Sequence, residues 1–175
     1  DDNYLIEKWT FSDGLLSNRI TSLLFDNQDR LWYGTTDNGV GCLDKNQKLV
    51  VHLNKENYLS SNFIRSITED KNGRLWVGTS GNGICAYDMY KTSNTTRFIS
   101  ITQGLKSNNV YLLTTDEEGN VIVGTEKGLD YIYLNENGSH KQIKHYGKLD
   151  GFVGVETCQN SVWNDANGAI WFGTI

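Results

Sequence analysis

The chain has 175 residues and a formal net charge of −5, the length of one ordinary domain whose core needs no disulfides. A pI near 5.1 and the lack of a clustered Lys/Arg face argue against nucleic acid as a partner. No apolar run reaches the length of a membrane span, and the start DDNYLIEKWT has neither the basic nor the apolar region of a secretory leader, which leaves the compartment open.

In chain order, LIEKW (5–9) reads as a strand, labelled D for its place in a repeat. ITSLLF (20–25) follows as strand A, DNQD (26–29) as a hairpin turn, and LWY (31–33) as strand B. Three consecutive apolar residues put side chains on both faces of strand B, so both faces are expected to be buried. VGCLD (40–44) and LVVHL (49–53) read as strands C and D. The order recurs as IRSITE (64–69), DKNG (70–73), LWV (75–77), ICAYD (84–88) and RFISI (97–101). It recurs again as VYLLTT (110–115), DEEG (116–119), VIV (121–123), LDYIYL (129–134) and QIKHY (142–146). NSVWN (160–164), DANG (165–168) and IWF (170–172) begin a fourth round, and no helix is expected. Proline is absent where average usage would give about nine, so the turns are built from Gly, Asn and Asp.

The Gly-Thr pair after every strand B anchors this repeat: Gly34, Gly78, Gly124 and Gly173 lie 44, 46 and 49 residues apart, the period of a propeller blade. Each turn opens on an aspartate: Asp26, Asp70, Asp116 or Asp165. Its fourth residue must adopt left-handed backbone, which Gly73, Gly119 and Gly168 accept freely and Asp29 tolerates. Calcium is a weak alternative for these aspartates, because no copy has successive Asp/Asn ligands and a distal Glu. Sheets buried on both faces and repeated at this period pack most economically as blades about an axis.

Trp32, Trp76 and Trp171, with Ile122 in the third copy, share one place in the repeat. An indole on a doubly buried strand is expected in the inter-blade core rather than on a sugar-stacking platform. GTSGNGICA (78–86) fits the G-x-G-x-x-A spacing of a dinucleotide turn. No helix follows it, so its glycines are assigned to the loop between strands B and C and not to a phosphate cradle. Cys42, Cys85 and Cys158 fit no zinc pattern and are expected as free thiols. Cys42 and Cys85 differ by one place in register, so they are expected to point to opposite faces and not to bond. His52, His140 and His145 fall in strand D or just before it and are expected to be solvated. Asn94 and Asn137 match a glycosylation sequon, which has meaning only in a eukaryotic secretory chain.

DGLLSNRITSLLFDNQDRLWYGTTDNGV (13–40) and LSSNFIRSITEDKNGRLWVGTSGNGI (59–84) resemble the two-component regulator propeller repeat. The third copy keeps GLKSNNV (104–110) and VGTEKGL (123–129) but lacks the Trp. The fourth carries about two extra residues before strand A and has Glu156-Thr157 in place of Ser-Asn. The resemblance covers essentially the whole chain. It implies an all-β fold of four-stranded antiparallel propeller blades, about three full and a partial fourth, with repeats near 10–53, 54–101, 102–146 and 147–175. Such a chain is expected to be a fragment of a larger propeller.

The resemblance further implies the periplasmic sensor region of a hybrid two-component histidine kinase of Bacteroidetes type. It would recognise an oligosaccharide and signal to a kinase outside this chain, without cofactor, metal or catalysis of its own. It would meet the membrane only through other parts of the parent. A propeller-fold carbohydrate-active lyase or hydrolase, or a protein-docking propeller with no small-molecule ligand, stays open beside that reading. Catalysis needs a carboxylate pair or a His/Glu constellation, and the spacing does not bring Glu126, Asp130 and Glu156 together.

Positions that vary between copies while the frame is kept are free of the blade's own needs. They are the residue five before each turn aspartate (Thr21, Arg65, Tyr111, Asn160) and the loops between strands B and C. Arg19, Asn38, Arg65, Asn82, Tyr111 and Lys127 are the candidate ligand-binding residues, since the D–A and B–C connections emerge on one face around the axis. Amide, guanidinium and aromatic groups suit a polyhydroxyl or acidic-sugar ligand. The open sheet edge after the fourth strand B is expected to favour association with a second copy.

Overall fold

A computed structural model of the chain describes residues 7–90, 97–154 and 156–175. Blade one is the antiparallel meander β1 (Ile20–Phe25), β2 (Leu31–Thr35), β3 (Val40–Leu43) and β4 (Leu49–Leu53). Blade two is β5 (Ile64–Glu69), β6 (Arg74–Thr79), β7 (Ile84–Asp88) and β8 (Arg97–Ile99). Blade three is β9 (Val110–Thr115), β10 (Val121–Thr125), β11 (Gly128–Leu134) and β12 (His140–Tyr146). The fourth sheet is the hairpin β13 (Thr157–Asn164) and β14 (Ile170–Thr174). The all-β blades read from the sequence are therefore present.

Two expectations need correction. Of the first strand D, residues 5–6 lie outside the described residues and 7–9 form no strand. Helical turns also occur: 3-10 turns at Phe11–Asp13, Ile101–Gln103 and Lys148–Asp150 precede the inner strands, each stopped by a left-handed glycine, Gly14, Gly104 or Gly151. Their signal is a capping pair three residues apart. The Thr10 N–H donates to Asp13 Oδ2 and the Ser100 N–H to Gln103 Oε1, both at 2.9 Å. The sequon at Asn94 lies outside the described residues.

The turn aspartate and the tryptophan six residues later form one device. Asp70 Oδ1 accepts the backbone N–H groups of Asn72 and Arg74, while Oδ2 accepts Arg74 Nε at 2.6 Å and the Trp76 indole at 2.8 Å. Asp26 does the same with Arg30 at 2.7 Å and Trp32 at 2.8 Å. In blade three the tryptophan is Ile122, and the Tyr131 hydroxyl from β11 donates to Asp116 Oδ2 instead. Tyr131 lies across the ladder from Ile122, where the small Cys42 and Ala86 lie across from Trp32 and Trp76. Large and small residues have exchanged strands, and the hydrogen bond is kept.

Blades pack face to face. Trp32, Val40, Cys42 and Leu53 of blade one meet Ile64, Leu75, Val77 and Cys85 of blade two. Trp76, Ile84 and Ile99 of blade two meet Val110, Val121, Val123 and Ile132 of blade three. Trp32 and Trp76 are thus inter-blade core, as expected. Trp171 is not: it is 64% exposed, because its face of the fourth sheet packs on no further sheet among the described residues.

The two buried cysteines lie closer together than their register suggests. Cys42 and Cys85 are free and do point to opposite faces of their own blades, but those two faces meet, so both thiols sit in one layer. Burial pushes each thiol pKa up to about 12, which keeps them protonated and inert.

The glycine of each Gly-Thr pair is a contact point. A Cβ on Gly78 would lie 2.5 Å from Val110 Cγ1, and one on Gly34 would lie 2.7 Å from Ile64 Cγ2. Only a bare backbone lets the next blade's inner strand approach this closely.

Candidate functional site

The threonine of each Gly-Thr pair builds the loop that follows it. Thr35, Thr79 and Thr125 are buried, and each hydroxyl donates to the carbonyl of Gly39, Gly83 or Gly128. The same oxygen accepts the N–H of Asn38, Asn82 or Lys127. Those three candidates therefore stand exposed at the tips of stapled loops on one face.

Each inner strand carries a β-bulge at its copy-variable position. Pairing jumps from Ile20↔Thr35 to Ser22↔Gly34, from Ile64↔Thr79 to Ser66↔Gly78, and from Val110↔Thr125 to Leu112↔Gly124. Thr21, Arg65 and Tyr111 are left out of the ladders. In β13 the pairing jumps from Thr157↔Thr174 to Val162↔Phe172, so residues 158–161 stand against Gly173, with Asn160 at a φ of 53°. A bulge re-aims a side chain that a regular ladder would hold on the sheet face.

The bulged residues of blades two and three and the fourth sheet converge. The Arg65 guanidinium lies 5.0 Å from the Tyr111 ring and 5.3 Å from the Phe63 ring, within cation–π range. Arg65 Nη1 donates to Gln159 Oε1 at 3.2 Å and Nη2 to Ser80 Oγ at 3.3 Å. Asn160 Nδ2 donates to the Thr21 carbonyl at 2.8 Å and the Arg65 carbonyl at 3.1 Å, tying blades one and two to the fourth sheet. Beside this cluster lies a cavity of about 600 Å³ lined by the inner strands, among them Thr21, Ser22, Ser66, Leu113 and Asn160. The hydroxyls of Thr21 and Ser22 are buried there without a hydrogen-bond partner.

Of the six candidates, only Arg65 and Tyr111 are brought into contact. Arg19 is exposed and paired with Asp37 at 2.7 Å, and its hydrogen bond holds that carboxyl below the usual carboxylate range. Arg19 and Asn38 border a separate depression on blade one, and the Asn38 carbonyl meets His52 Nε2 at 2.8 Å. The Asn82 carbonyl accepts Ser60 Oγ at 3.3 Å. Among the described contacts, none joins Asn82 or Lys127 to the Arg65 cluster. Sequence reasoning missed Phe63 and Gln159, and singled out Ser80 only as part of its loop. The signal for Gln159 was the extra length before the fourth strand A, since that is where the wide bulge falls.

His145 is not simply solvated. Its Nδ1 lies 2.9 Å from Oδ1 of the buried Asp130, whose Oδ2 accepts the Lys106 N–H at 2.8 Å. The equivalent N–H in blade one, that of Leu16, goes to the Tyr33 hydroxyl at 3.2 Å. Two chemically different side chains thus answer one backbone donor, which accounts for Asp130 as a structural acceptor. Glu126 is bonded to Ser107 at 2.6 Å, and no shared partner joins it to Asp130.

The family model for the two-component regulator propeller matches residues 14–37 and 58–81. The chain carries two-component regulator propeller repeats. No curated protein matches it by sequence. Among solved structures, it is similar to the extracellular domain described as that of hybrid two-component system BT3049 of B. thetaiotaomicron, with 25% identity and a TM-score of 0.81. That match covers 97% of this chain and 22% of the other. The extracellular domain of a second hybrid system of that organism, BT4673, matches at 26% identity and a TM-score of 0.71, over 91% of this chain and 22% of the other. The chain thus spans about a fifth of the length of either. Virginiamycin B lyase of Staphylococcus aureus matches at 11% identity and a TM-score of 0.63, over 89% of this chain and 49% of the lyase. That last likeness is one of fold alone.

Proposed function

We propose that the chain is part of the periplasmic ligand-sensing propeller of a hybrid two-component system. It takes an oligosaccharide at the Arg65–Tyr111 cluster and passes the signal to a kinase outside this chain. The supporting observation is the convergence of bulged, copy-variable side chains from three sheets beside an axial cavity. A guanidinium, two aromatic rings, two side-chain amides and a hydroxyl meet there, which is the mixture that binds sugar hydroxyls and ring faces. Likeness to extracellular domains of two such systems supports the compartment and the sensing role. A lyase or hydrolase reading has less to stand on, because Asp130 accepts the Lys106 N–H and lies against the His145 ring, and the lyase likeness is of fold alone.

The test is titration calorimetry of the chain against a panel of oligosaccharides. At least one is expected to bind, with Arg65→Ala and Tyr111→Ala each weakening it ten-fold or more while the melting temperature holds. Failure of every oligosaccharide, or equal affinity in both variants, overturns the reading, and turnover of a bound sugar would restore the enzyme alternative.

A further inference from the structure

Resting on that site, we infer that its ligand carries a carboxylate, as an oligosaccharide containing a hexuronic acid does. Arg19, Arg30 and Arg74 are each held by an aspartate at 2.6 to 2.7 Å. Arg65 is not. Among the described residues no carboxylate lies within ion-pair distance of it, although the chain as a whole is acidic. Its partners are the neutral oxygens of Gln159 and Ser80 at 3.2 and 3.3 Å, longer than the roughly 2.7–2.9 Å of a charge-assisted bond. Its Nε is enclosed without any partner. A part-buried guanidinium with weak neutral partners is a favourable partner for an anion.

The geometry also prepares that anion's place. The Phe63 and Tyr111 rings both lie within cation–π range of the guanidinium, which helps to order the side chain before a ligand arrives, so less entropy is lost on binding. Two of the five guanidinium N–H donors are engaged, and the fork of a guanidinium matches the two oxygens of a carboxylate. Gln159 is exposed, so its long bond to Arg65 can be exchanged for the ligand's oxygen. Phe63 is 39% exposed and offers an apolar face to the ring that bears the carboxylate. The Asn160 and Gln159 amides and the Ser80 hydroxyl lie close by for its hydroxyls.

The experiment is calorimetry of the full chain with oligogalacturonate, oligomannuronate and hyaluronate fragments, each beside its carboxyl-reduced form, with free galacturonate and succinate as further arms. The expected result is that one uronate oligosaccharide binds at least ten-fold more tightly than its reduced form. That preference should vanish in Arg65→Gln, which keeps hydrogen-bonding capacity and loses the charge. It should also shrink as salt is raised. Equal binding of acidic and reduced forms, with Arg65→Ala still weakening both, overturns the carboxylate inference and leaves the sensing site standing. Binding of succinate as tight as that of any sugar keeps the carboxylate and overturns the sugar. No binding of any probe overturns both.

Discussion

Replacing Asp70 with alanine tests the device that builds every blade. The change removes acceptors for four donors, namely the backbone N–H groups of Asn72 and Arg74, Arg74 Nε and the Trp76 indole. Water cannot stand in for the last two, because the Arg74 side chain is 5% exposed and Trp76 is 0% exposed. Stranding a buried charge costs about 3–5 kcal/mol, and stranding a buried N–H costs about 1–3 kcal/mol. One carboxylate serves both donors, so the losses overlap, and about 4 kcal/mol is expected for the pair. In a chain of this size that lowers the melting temperature by roughly 8–16 °C, read by circular dichroism. Asp70→Asn keeps an acceptor for the turn amides but sets an NH2 against the arginine and indole donors, so its loss should be intermediate. Asp165 makes the same bond to Trp171 at 3.0 Å, but with Ala169 where the arginine would be and an indole open to water. Asp165→Ala should leave the melting temperature almost unchanged. Equal shifts for Asp70→Ala and Asp165→Ala would refute the argument that burial gives this network its worth.

Gly78→Ala should cost about 1–3 kcal/mol through overpacking against Val110, and an unchanged urea midpoint would show that blade two tolerates a Cβ there. Tyr131→Phe should cost about 1–2 kcal/mol for the bond to Asp116. Adding Ile122→Trp to Tyr131→Ala should recover stability lost in the single Tyr131→Ala variant, and a double variant less stable than that single one would refute the exchange. Burial raises the pKa values of Asp26 and Asp116, but hydrogen bonds from Trp32 and the Arg30 amide, and from Tyr131 and Asn120, outweigh it and hold both below the usual carboxylate range. The unfolded chain therefore takes up these protons first. The stability they contribute is present above about pH 4 and lost as pH falls through the folded values; a urea midpoint that rises on acidification would contradict this.

The strands, the left-handed turn positions and the Gly-Thr anchor were legible in the sequence because each is a local matter. Turn chemistry is decided within four residues and strand burial within three, and repetition at a blade-like period makes the same message readable several times. Arg65 and Tyr111 were legible as candidates for the same reason, being variable residues at a kept position. The 3-10 turns were carried by local capping pairs and went unread.

What tertiary structure alone decided is which side chains meet. Arg65 touches Tyr111 and Gln159, and no periodicity within one blade predicts a contact made across blades by residues that bulges have turned out of register. Cys42 and Cys85 share a layer because opposite faces of successive blades are the same interface. Tyr131 answers for a missing tryptophan because ladder pairing sets it beside Ile122. Local residues determined each blade, and the stacking of blades about an axis determined which side chains form the candidate site.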